Sequence, residues 1–212
     1  MSPYKVTYGP LKIYYMKHLA ILASGSGTNA QNLIEYFNFK TVNPNAAVKI
    51  VICNKPNAYV LARAEKLGVP SVVLNKEELS SKPQKLLQIL AENKIDYIIL
   101  AGYLLKIPTE LINSYPHRII NIHPALLPSV YGGKGMYGHH VHEAVVAAKE
   151  KESGITIHLI DEIYDNGKIL FRAKCSVEPS DTPEDLAAKI HMLEQEHFPK
   201  VVDEYITSQH LF

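Results

Sequence analysis

The segment NIHPALLP, residues 121–128, ends an apolar run on a carboxamide and an imidazole two positions apart. Side chains on a strand alternate faces, so Asn121 and His123 project together while Ile120 and Ile122 face the other way. Pro124 cannot donate to a sheet ladder, which leaves the pair at the strand's carboxyl end. Both groups can aim N–H donors at one point, as needed to hold a carbonyl oxygen that turns negative in a tetrahedral intermediate. A carboxylate beside His123 would raise the ring's pKa, typically by about one or two units, and keep it cationic. The candidates lie in IDEIYDNG (160–167): Asp161, Glu162 and Asp165, the last directly before the turn pair Asn166-Gly167. Spacing alone does not choose among the three.

A second chemical feature is ASGSGTNAQNL (23–33), between a strand pattern and a helix pattern. Glycines let backbone N–H groups approach an anion, and a helix N-terminus adds a favourable dipole. Gly27, Thr28 and Asn29 stand at that start. Gly25-x-Gly27-x-x-Ala30 also satisfies the dinucleotide fingerprint, which needs an acid after the second strand for the ribose hydroxyls. That strand ends in ICNKP, with Asn54 and Lys55 and no acid, so a phosphate-bearing substrate is the better reading.

The elements that must position these groups follow from periodicity. HLAILA (18–23), AVKIVICN (47–54), SVVL (71–74), DYIILAG (96–102) and RIINIH (118–123) read as strands. NAQNLIEYF (29–37), YVLARAEKLG (59–68) with Gly68 past its end, and roughly 84–93 read as helices between them. This alternation predicts an α/β fold: a mostly parallel twisted sheet with helices on both faces. HHVHEAVVAAKE (139–150) reads as a helix, and GITIHLIDE and GKILFRAKCSVE as an antiparallel strand pair around YDNG, in the C-terminal half. In the closing helix Thr182 is the expected N-cap, Asp185 the capping-box acid, and Pro199 a kink or restart.

The chain has 212 residues, is 47% hydrophobic and carries a formal net charge of +1. That suits one domain, expected over 17–208, and argues against a nucleic-acid surface. No apolar run reaches membrane-spanning length. Cys53 and Cys175 form no CxxC pair, which reads as a reducing, intracellular setting. Residues 1–16 carry prolines and lysines where a signal peptide would be continuously apolar, and read as an N-terminal extension without assigned function.

His139, His140, His142 and Glu143 resemble a metal cluster, but no further ligand follows at a recognised interval and HExxH is absent, so no metal is expected. A polar helix start over a cleft is the simpler reading. His158, on a strand face with Thr156, is either a satisfied half-buried histidine or a support for the site. YGGKGMYGHH is glycine-rich enough to be a mobile cover. Ser24 and Ser129 lack GxSxG context.

ILASGSGTN, NKPNAYVLARAEKLGVP, DYIILAGYL, NIHPALLP and GITIHLIDEIYDNGKILF together resemble the phosphoribosylglycinamide formyltransferases, folate-dependent enzymes of purine synthesis. The resemblance runs from Lys17 to the last helix. It implies a Rossmann-like formyltransferase fold and transfer of the formyl group of 10-formyltetrahydrofolate, as co-substrate, to the amine of glycinamide ribonucleotide. It makes Asn121, His123 and Asp165 catalytic, gives the phosphate to Gly27, Thr28 and Asn29, and gives the ribose hydroxyls to Glu194. The folate pocket then comprises Leu104, Leu105, Lys106 and Ile107, Asn121, and the loop Asp161, Glu162, Ile163, Tyr164 and Asp165. Leu105 departs from the family, whose members often carry arginine there, and NKEELSSKPQK offers no counterpart of a second folate-side arginine.

The mechanism so implied is direct attack of the amine on the formyl carbon. Asn121 and a protonated His123 stabilise the oxyanion, Asp165 keeps the ring charged, and the amine's proton passes to N10 of the folate through water or His123. Small-molecule substrates, no nucleic acid, no membrane, a monomer or homodimer, and a cytoplasmic setting complete the expectation. The alternative is a formyltetrahydrofolate hydrolase, with water replacing the amine, whose relatives usually add an N-terminal regulatory domain.

Overall fold

A computed structural model describes residues 15–42, 44–133, 135–163 and 165–209. Residues 1–14 of the expected extension, and Tyr164 of the expected folate loop, lie outside the described residues. Strands β1 (Lys17–Ala23), β2 (Ala46–Cys53), β3 (Ser71–Val73), β4 (Tyr97–Leu100), β5 (Ile119–His123), β6 (Glu152–Leu159) and β7 (Ile169–Ser176) form one sheet in the order β3-β2-β1-β4-β5-β6-β7. The first five are parallel, whereas β6 runs antiparallel to β5 and β7 antiparallel to β6, as expected.

Helices α1 (Thr28–Glu35, extended by a π-helical turn Tyr36–Lys40), α2 (Tyr59–Lys66), α3 (Lys76–Ser80), α4 (Gln84–Glu92), α5 (Thr109–Ser114), α6 (His139–Ala147) and α7 (Pro183–Ser208) surround the sheet. β1 is central and apolar along most of its length because both its faces are covered. Leu19 and Ile21 pack with Leu33, Phe37, Phe198 and Val202 from the α1 and α7 side. Ala20 and Leu22 pack with Leu79, Leu86, Leu90 and Leu111 on the other side. Among the described residues no helix is long and apolar enough to cross a membrane.

Two short helices escaped the periodicity reading. Five residues in α3 and six in α5 are too few to display a 3.6-residue repeat. Asn75 and Glu78 nevertheless close a capping box on α3, a signal that was present in the sequence. The expected restart at Pro199 is corrected: α7 continues through it as one helix of 26 residues, opened by the predicted Thr182–Asp185 box. A helical proline leaves the carbonyl four residues back without its donor. Here that carbonyl, of Gln195, accepts a 2.8 Å bond from the Asn32 side chain of α1.

The strand order fixes where the site must lie. β1 has β2 on one side and β4 on the other, so the chain turns opposite ways after those two strands and opens a crevice at their carboxyl ends. The 24–27 loop, the 101–107 segment and the end of β5 all meet there.

Candidate active site

One cavity of about 860 Å³ occupies this crevice. Its wall includes Gly27, Thr28, Asn29 and Glu194, together with Leu104, Leu105, Lys106 and Ile107. Asn121, His123, Asp161, Glu162, Ile163 and Asp165 border the same space. The fold thus gathers every candidate among the described residues. Lys55, Lys76 and His191, which sequence reasoning did not select, also reach the wall.

The glycine loop is built around Gly27, whose φ of 77° is left-handed and whose Cα lies against α2. The α1 N-terminus has no side-chain cap and no acid in its first turn, so its leading N–H groups are available to an anion. The buried Asn29 side chain locks this loop to α7, donating to Glu194 Oε2 at 2.9 Å and accepting from Gln195 at 3.0 Å. His191 Nδ1 stands 3.7 Å from the same Glu194 oxygen, which pushes the ring's pKa up. Gly27→Ala should lower stability by at least about 1–2 kcal/mol from the left-handed backbone alone. Its Cβ would also lie 2.5 Å from Val60 Cβ. The denaturant midpoint measures this, and an unchanged midpoint would contradict it.

Antiparallel pairing sets Asn121 opposite His158 and His123 opposite Thr156. Thr156 donates to the Ala125 carbonyl at 2.7 Å and accepts from Leu127 N–H at 2.9 Å, fixing the chain as it leaves β5. His158 is completely buried, and its Nδ1 donates to the Leu159 carbonyl at 2.9 Å. Its Nε2 lies 3.1 Å from Asn121 Nδ2 and 3.6 Å from Asp165 Oδ1. With Nδ1 donating to the Leu159 carbonyl, Nε2 accepts from the Asn121 carboxamide and orients it. This decides the role left open for His158: it supports the site.

Asp165 adopts φ 53°, a turn conformation that carries its side chain inward beneath the glycine-rich segment. Gly167 is required behind it, because a Cβ there would collide with the Leu159 carbonyl. Asp165 Oδ2 accepts from Gly133 N–H at 2.8 Å and lies 3.8 Å from His123 Nδ1. Burial works to raise this carboxyl, but the two rings that face it, His158 and His123, and the Gly133 N–H together hold it below its ordinary value.

His123, 4% exposed, donates Nε2–H to the Tyr131 carbonyl at 2.7 Å. The expectation of a raised pKa is overturned. Desolvation outweighs the opposing pull of Asp165 and of the Tyr131 carbonyl, and the ring lies below its ordinary value. At 3.8 Å the carboxylate exerts a Coulombic pull without a hydrogen bond, and it is shared with Gly133 and His158. Segment 131–133 therefore covers both members of the pair, and Tyr131 OH anchors it to Glu150 at 2.7 Å.

His139 and His142, drawn as one face of a helix, diverge. His139 is half exposed and lies 3.5 Å from Glu143 and 3.6 Å from Glu184. His142 is 7% exposed, lines the cavity, and is held below its ordinary pKa first by burial. Buried histidines of depressed pKa bind protons more readily when unfolded. The stability they confer is complete above the unfolded value near 6.5 and is lost as pH falls through the folded values. Denaturant midpoints should thus fall between pH 7 and 5, with half-exposed His191 opposing; a flat profile would contradict the assignment.

The site thus combines an uncapped helix start, an oriented carboxamide, a buried imidazole near a carboxylate, and an apolar wall. The formyl transferase family matches residues 17–202. The phosphoribosylglycinamide formyltransferase of Bacillus subtilis (strain 168) is 32% identical over 194 residues, covering 90% of this chain and 95% of that protein. The chloroplastic phosphoribosylglycinamide formyltransferase of Arabidopsis thaliana is 40% identical over 185 residues, covering 85% of this chain; the match spans 62% of the plant protein's own length. The crystal structure of phosphoribosylglycinamide formyltransferase from Bacillus halodurans superposes with a TM-score of 0.80 at 34% identity, over 90% of this chain and 95% of that one. With residues 17–202 matched by the family and nine-tenths of the chain superposed on a solved member, the chain belongs to the formyl transferase family, in the group of the phosphoribosylglycinamide formyltransferases.

Proposed function

We propose that the protein transfers the formyl group of 10-formyltetrahydrofolate to the amine of glycinamide ribonucleotide. The observation that carries this reading is the convergence of Asn121 and His123 on one cavity that the uncapped start of α1 also lines. Gly27, Thr28 and Asn29 receive the phosphate, and Glu194 the ribose hydroxyls. The apolar 104–107 segment and residues 161–165 receive the folate.

In the proposed reaction the amine's lone pair forms a bond to the formyl carbon, and the carbonyl π pair moves to oxygen. The Asn121 carboxamide, oriented by His158, offers that oxygen its second N–H. Because burial keeps His123 below its ordinary pKa, its ring begins as a neutral Nε2–H donor, and it becomes cationic only as Nδ1 takes the proton that the attacking nitrogen releases when the new bond forms. Asp165 is the anion that favours this change. The Nε2–H now directed at the Tyr131 carbonyl turns to the oxyanion, so segment 131–133 gives way during turnover. Collapse of the intermediate re-forms the carbonyl and breaks the bond to N10, which takes up the proton lost by the attacking nitrogen, passed through water or His123. An intracellular, cytoplasmic setting accords with two free cysteines.

The test is incubation with 10-formyltetrahydrofolate, with and without glycinamide ribonucleotide, following folate absorbance. Conversion should need both substrates. Equal conversion without the acceptor would replace this reading with hydrolysis.

A further inference from the structure

His142 stands in the first turn of α6, in the cavity wall, and the mechanism above leaves it unused. Its Nδ1 is buried without a hydrogen-bond partner among the described residues. That nitrogen is sealed from the cavity, so the other ring nitrogen, which makes no hydrogen bond among the described residues, is the one left to face a bound molecule. Neighbouring titratable groups locate it: Glu194 on α7, His139 on its own helix, and His123 at the end of β5 all act on its charge. His142 thus borders the span between the Glu194 end of the anion loop and the reacting pair. An acceptor with its phosphate at α1 and its amine at Asn121 must cross that span.

An α-amino group of ordinary pKa, about 7.7–8.0, is mostly an ammonium ion at neutral pH and has no lone pair to attack with. A proton acceptor is therefore needed beside it. Asn121 and the His123 Nε2–H are committed as donors to the oxyanion, His123 Nδ1 to the proton released as the new bond forms, and Asp165 is a carboxylate held by Gly133. We propose that His142 is a catalytic residue that accepts the proton of the bound acceptor's ammonium group. The N–H bond pair remains on the substrate nitrogen as the attacking lone pair, and the proton forms a new N–H bond on the imidazole. The inference rests on the formyl-transfer reading. Two features keep the ring ready: burial and the α6 N-terminus both disfavour its cation, and Glu194 opposes them only in part.

The experiment compares kcat of wild type and His142→Gln from pH 6 to 9 at saturating substrates. Glutamine retains hydrogen bonding but accepts no proton in this range. At pH 7 the variant should be slower by about 10²-fold, the lower end for general base catalysis. Near pH 9, where the free amine is already neutral, the ratio should shrink to a few-fold, with KM for the acceptor little changed. Added imidazole should restore part of the activity of His142→Ala at pH 7. A loss equal at all pH values, a loss confined to KM, or no loss would overturn the proposal. Should neither variant fold, wild type decides alone: its acid limb should lie below pH 6.5, and a limb near the amine's own value overturns the proposal. No transfer by wild type would remove the formyl-transfer reading and this proposal together, whereas transfer with a pH-independent loss removes the proposal only.

Discussion

Asn121→Ala is expected to lower kcat by about 10²–10³-fold, the usual consequence of removing one oxyanion donor, with smaller changes in either KM. The effect is large because the donor is pre-oriented. Nδ2 gives one proton to His158 at 3.1 Å, which leaves the second aimed by a fully buried ring whose own Nδ1 is fixed on the Leu159 carbonyl. No reorganisation is then needed as charge develops. His123→Ala removes the second donor and should produce a loss of the same order. Their combination should fall well short of the product of the two, since both act on one oxygen and residues of one unit are not additive. Steady-state rates of the three variants provide the check. Near-wild-type turnover in either single variant would rule out the proposed oxyanion site.

Asp165→Asn is the second large effect, expected at about tenfold to a hundredfold in kcat. The amide retains an acceptor for the Gly133 N–H, so the loss reports charge more than shape. Its sign with pH follows from the shift it removes. Asp165 favours the cationic form of His123 against desolvation, and without that anion the ring's pKa moves further down. The ring then gains a proton less readily as the oxyanion forms, so the loss should persist throughout the pH range in which the ring begins neutral, and the acid limb set by that ring should move to lower pH. An identical limb in wild type and variant would detach Asp165 from His123 and leave it a structural role under segment 131–133.

Much of this was legible before any coordinates. Alternation placed Asn121 and His123 on one side of a strand that Pro124 terminates, and continuous apolar strands announced a sheet covered on both faces. Thr182 and Asp185 announced α7, because caps, turns and periodicities are short-range and are written in consecutive residues. Choosing Asp165 from three nearby acids required the family resemblance, since spacing carries no direction for a turn residue. His158 stayed undecided because its partner stands 37 residues away and is met only through the β5–β6 register. That α7 runs on through Pro199 without a restart was not legible, because the group that relieves the missing hydrogen bond, Asn32, belongs to another helix. The direction of the His123 shift was misjudged because desolvation is a property of everything packed around a ring. Local physics in the chain determined which groups exist and which way they face along a strand. Only the folded molecule decided how far apart they stand and how little water reaches them, and those two quantities set every charge in the site.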